Sequence, residues 1–135
     1  MGFTHTISRE RKLARLVGTG TLDFDMCIRG LRALADDLRG ETGYGILVDV
    51  RESDYLATTG EIRRYAEMVS QPGSLRGHRF AIVVPNAVRF GNARMFSTYL
   101  ELQGGEADVF RDEASAMEWL TTSGKPSAGH DARGK

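Results

Sequence analysis

Two short, nearly uninterrupted apolar runs constrain this chain more than anything else in it: Tyr44-Gly45-Ile46-Leu47-Val48-Asp49-Val50 and Phe80-Ala81-Ile82-Val83-Val84. A run of strand length without polar alternation marks a strand covered on both faces, as in a sheet sandwiched by helices. Both runs fall far short of the ~20 residues that span a bilayer. The segments around them change period. Ile62, Tyr65, Ala66 and Val69 stand at i, i+3, i+4 and i+7, one helical face beginning near Thr58 and stopped by Gln71-Pro72-Gly73-Ser74. Phe24, Cys27, Ile28, Leu31, Leu34, Ala35 and Leu38 form another such face, with Thr21 or Asp23 as its cap and Gly40 to Gly43 as its end.

The remaining segments complete the order. Thr4 to Ile7 and Leu13 to Val17 are close enough to pair as a hairpin, and Gly18-Thr19-Gly20 is expected to break the second strand. The polar residues Arg51 to Asp54 are expected to form a loop. A long helix is expected from about Ala87 to Gln103, then a last strand at Ala107 to Phe110, then a helix capped by Asp112. The predicted order is β-β-α-β-α-β-α-β-α, an α/β fold with a mixed sheet packed with helices. Residues 1–122 are expected to form one domain, and 123–135, rich in Gly, Ser and charge, a disordered tail.

Composition removes several function classes. Lys plus Arg is 18 and Asp plus Glu is 18, so the net charge is zero and no nucleic-acid partner is expected. The opening Met1-Gly2-Phe3-Thr4-His5 has neither a basic nor an apolar leader region, and a cytoplasmic location is expected, with no transmembrane segment. Cys27 is the single cysteine, so no internal disulfide or cysteine-based zinc site forms, and no metal or other cofactor is expected.

The groups able to carry chemistry are dispersed. Ligands of open α/β sheets favour the carboxyl ends of the strands. Those ends hold Arg51 to Asp54, Pro85 to Arg89 and Arg111-Asp112, with no histidine. His5, His78 and His130 are far apart in sequence and read as edge or surface residues. Cys27 reads as a small buried hydrophobe. Gly18-Thr19-Gly20 lacks the third glycine of a phosphate-binding turn. No nucleophile elbow, zincin helix or catalytic triad order is present, so a non-enzymatic protein is expected; the weaker alternative uses Asp49, Glu52 or Asp54 as acid or base.

Thr58-Thr59-Gly60-Glu61 is the most informative polar stretch. It has the form of a capping box, in which Thr58 and Glu61 each satisfy the other's backbone N–H. A hydroxyl at a helix N-terminus is also well placed to carry a phosphate, so Thr58 and Thr59, with Glu61, are candidate phospho-acceptor or capping residues. On the helix from Ala87, the apolar arc spans about 180°, against the roughly 100° that one sheet contact needs. Ala93, Phe96 and Leu100 are assigned to the sheet. Met95, Tyr99 and Leu102 are then surplus, to be covered by a neighbouring helix, a second subunit or a ligand. The candidate ligand or partner surface is Arg51, Asp54, Arg89, Arg94, Met95, Tyr99 and Leu102, and a homodimer is expected.

Four features together resemble the SpoIIAA-like (STAS-like) family. They are the hairpin opening, the strand Ile46 to Arg51, the segment Phe90-Gly91-x-Ala93-Arg94-Met95-Phe96, and the ending Val109-Phe110-Arg111-Asp112 with Trp119-Leu120. The resemblance implies a STAS-type fold, which is also compared with the lipid-transfer CRAL-TRIO fold. It implies a regulatory or protein-interaction module of unknown partner, or else a carrier or sensor of a small apolar, lipid-like molecule. Anti-sigma-factor antagonists of the STAS class carry Asp-Ser-Ser-Gly with a phosphorylated first serine. Ala57-Thr58-Thr59-Gly60 stands at the matching place, with Ala57 replacing the aspartate and threonine replacing both serines.

Overall fold

The computed structural model describes residues 2–122, so the expectation for the tail at 123–135 lies outside the described residues. Five strands form one sheet in the sequential order β1 (Gly2–Ser8), β2 (Leu13–Gly20), β3 (Gly45–Ser53), β4 (Arg79–Val83), β5 (Glu106–Phe110). β1 runs antiparallel to β2 through a hairpin, and every later pairing is parallel. The helices α1 (Phe24–Asp37), α2 (Thr59–Ser70), α3 (Ala87–Leu102) and α4 (Glu113–Thr121) complete the predicted element order. Each begins on a side-chain cap: Asp23, Thr58, Asn86 and Asp112 accept from the backbone N–H three residues on.

The register explains how the faces divide. Strand side chains alternate, so Ala14 and Leu16, Ile46 and Val48, Phe80 and Ile82, and Ala107 and Val109 share one face. That face packs against α1, α2 and α3. Leu13, Leu47, Ala81, Val83 and Phe110 occupy the other face, where the short α4 covers them with Ala116, Trp119 and Leu120. Arg79 lies over the Trp119 ring at 4.1 Å and helps seat that helix.

Three local expectations are corrected. Gly18 to Gly20 does not break β2; the strand continues to Gly20 with a register shift between Val17 and Thr19. Gly18 is needed for space: a Cβ there would stand 2.8 Å from the Phe3 ring, which lies across it. Residues 51 to 53 are not loop but the end of β3. Arg51 pairs bidentately with Asp49 at 3.0 and 2.8 Å, and the buried Ser53 hydroxyl donates to the Val50 carbonyl at 3.0 Å. His78 is buried, 4% exposed, rather than at the surface. Its Nδ1 accepts the Tyr44 N–H at 3.0 Å, closing the turn before β4.

Candidate functional site

An apolar cavity of about 130 Å³ lies between the sheet and helices α1 to α3. Its floor is carbon from the strands, including Leu16, Val48 and Ile82, and its walls are Leu31, Ile62 and Phe96. It extends to the carboxyl ends of β3 and β4, where Val50, Ser53 and Val84 meet the first turns of α3. That is where parallel α/β architecture leaves room for a ligand, because strand ends and helix starts diverge there.

Few polar groups border this space, and all are held in place. Arg89, one turn into α3, donates from Nη1 to the Ser53 carbonyl at 2.8 Å and from Nη2 to the Val50 carbonyl and Ser53 Oγ, both at 3.2 Å. Partial burial pushes its pKa below the ordinary arginine value, with the field of Asp54 working against this. Asn92, one turn further, clamps the backbone of Ala57 by donating to its carbonyl at 2.8 Å and accepting its N–H at 3.3 Å. The segment between β3 and α2 is thereby fastened over the cavity.

A second fastening starts at the capping box, which forms as predicted. Thr58 Oγ1 accepts from the Glu61 N–H at 3.1 Å, and Glu61 Oε1 accepts from the Thr58 N–H at 3.0 Å. The same Oε1 also accepts from the Tyr55 hydroxyl at 2.7 Å, and Tyr55 lies 2.6 Å from the Tyr65 hydroxyl. With the Tyr55 hydroxyl donating to Glu61, Tyr65 donates to Tyr55. The chain runs from an exposed helix cap to the buried Tyr65 at the cavity wall. The bonds from the Thr58 backbone and Tyr55 hold Glu61 below the usual carboxylate range. Burial pushes both tyrosines up, and it raises Cys27 to about 11, so the thiol stays protonated.

The predicted surface residues do not converge. Arg51 faces α4, bound to Asp49 and, at 3.3 Å, to Glu113, which Arg15 also grips bidentately at 2.7 and 2.8 Å. Asp49 is held ionised chiefly by Arg51, and so is unsuited to donating a proton. Asp54 is exposed and accepts from Thr21 Oγ1 at 3.5 Å. Arg94 stands 3.6 Å from Asp108, at the sheet edge formed by β5. Tyr99 is partly covered by α2, with Arg63 5.4 Å above its ring, whereas Leu102 is 77% exposed. Thr58 and Thr59 are exposed. Of the predicted surface, Arg89 borders the cavity. Tyr55, Tyr65 and Asn92 were missed as site residues; the available signal was a tyrosine on a helix's buried face, whose hydroxyl must find a partner.

Comparison with known proteins bears on the fold. No protein-family model and no curated protein matches the chain. Among solved structures it is similar to an uncharacterized protein of the DUF3478 family with a SpoIIAA-like fold from Shewanella loihica PV-4. The TM-score is 0.59 at 20% identity, over 88% of this chain and 94% of that one. The order β-β-α-β-α-β-α-β-α on a five-stranded mixed sheet, together with that likeness, makes this chain a SpoIIAA-like, STAS-type α/β fold.

Proposed function

We propose that this chain is a non-enzymatic STAS-like module that carries or senses a small apolar ligand in the cavity beneath α1 to α3. The observation that carries this reading is the cavity itself, walled largely by carbon at the carboxyl ends of the parallel strands. Its size selects the ligand. An engineered apolar cavity of about 150 Å³ stays dry and accepts benzene, so about 130 Å³ suits one ring or a short branched chain. A long acyl chain needs more room than this. Native mass spectrometry of the purified protein, with NMR of the Val48 and Ile82 methyl groups during toluene titration, tests the reading. A reproducible added mass, or saturable methyl shifts, supports it. A clean apo mass with unmoved methyl signals overturns it.

A second reading, as a protein-interaction module that self-associates, is favoured by the outer surface of α3. Val88 and Leu102 are 68% and 77% exposed. They lie seven residues either side of Met95, so the three form one stripe along the helix.

A further inference from the structure

Arg89 is the charged residue among those bordering the cavity, and its charge is met by neutral groups. Among the described residues no carboxylate comes within the 4.0 Å of an ion pair with it; Asp54 acts on it through its field alone. The bonds to Ser53 and Val50 use three of the five N–H donors of a guanidinium, leaving two, the Nε–H among them. The two β3 carbonyls fix the group's position, so binding an anion there costs little further side-chain ordering.

We propose that the cavity is built for a small aromatic or branched monocarboxylate, its hydrocarbon part inside and its carboxylate on Arg89. This rests on the reading of the cavity as a ligand site and adds the ligand's charge and size class. A partly desolvated guanidinium without a counter-charge gains most from a single negative charge, which it binds through charge-assisted hydrogen bonds. A dianionic phosphate ester would bring a second charge that no other residue bordering the cavity matches. The other polar groups at the cavity do not compete for the anion: Asn92 is committed to Ala57, and Tyr55 and Tyr65 to the bonds ending on Glu61.

The test pairs phenylacetate with its neutral isostere phenylacetamide, both titrated into the intact protein by calorimetry and followed at the cavity methyl groups. Phenylacetate should bind about tenfold tighter or more, an advantage that shrinks as salt is raised. Arg89→Gln, which can still donate to a β3 carbonyl, should bring the two affinities together by weakening phenylacetate far more than phenylacetamide. Equal affinities in the wild-type protein, which need no variant to measure, overturn the carboxylate assignment and leave the cavity reading standing. Saturable binding of phenylacetate that survives Arg89→Gln in full also overturns it. Failure of phenylacetate, phenylacetamide and toluene alike to move any cavity signal overturns both readings together.

Discussion

His78 shows how one side chain ties stability to pH in this molecule. Its Nδ1 accepts the Tyr44 N–H at 3.0 Å, so the folded state needs the neutral imidazole with its proton on Nε2. Burial, with the nearby Lys12 charge, lowers its pKa. The sign follows from proton counting. Above the ordinary histidine value of about 6.5 both folded and unfolded chains leave the ring neutral. As pH falls below that value the unfolded chain takes up a proton that the folded one resists, so stability falls, at a slope of at most about 1.4 kcal/mol per pH unit. His78→Asn offers Oδ1 in place of Nδ1 and cannot titrate. Urea unfolding between pH 7 and 5 should therefore show the wild-type protein losing stability relative to the variant. Parallel curves would mean that the Tyr44–His78 bond does not set this dependence. The paired carboxylates Asp49, Glu61 and Glu113 are shifted down, so their contribution is lost only in the more acidic range through which they protonate. The two windows are separable.

At the scale of the element, α2 is the clearest case of a local signal surviving into the fold. Thr58-x-x-Glu61 ahead of the Ile62, Tyr65, Ala66, Val69 stripe is sufficient to place the helix start, because capping depends on neighbours in sequence alone. Thr58→Ala removes the acceptor for the Glu61 N–H but keeps the Thr58 N–H that Glu61 binds. It should lower stability by roughly 0.5–2 kcal/mol. Urea titration should show this as a lower midpoint with an unchanged m-value, and an unmoved midpoint would show that the box does not stabilise α2. The misread elements are those where distant residues decide. Gly18 looks like a strand breaker until Phe3 is seen lying over it. The end of β3 looks like a loop until the face it exposes is known to hold Asp49 and Glu113 for Arg51 to bind, carboxylates that Arg15 shares. The cavity was illegible for a related reason. Val48, Ile82 and Phe96 have the same periodicity whether the space between them is filled or open, since apolar pattern reports which face is covered and not how tightly. Arg89 was legible as a strand-end cation, but its pairing with β3 carbonyls rather than a carboxylate depends on the packing of α3 against the strand end.

For the whole molecule, the apolar arc on α3 divides three ways. Ala93, Phe96 and Leu100 cover the sheet as expected, with Phe96 edge-on to Phe80 at 6.2 Å. Tyr99 meets α2 through Arg63, so part of the surplus flank is satisfied within the chain. Val88 and Leu102 are not, and with Met95 between them they run about 21 Å along the helix. Two copies meeting through this stripe would do so about a two-fold axis, each presenting the same residues to the other. One helix flank gives less than the ~1,600 Å² that stable interfaces bury, so the expected dimer is weak. Sedimentation across the micromolar range should show a concentration-dependent shift from monomer to dimer. Met95→Glu combined with Leu102→Glu should abolish that shift while leaving the unfolding midpoint close to wild type. Leu102→Glu alone, at a site 77% exposed, weakens the association without disturbing the core, and so separates lost pairing from lost folding. A wild-type chain that sediments as a monomer at every concentration would make the stripe ordinary exposed surface, of the kind every soluble domain carries.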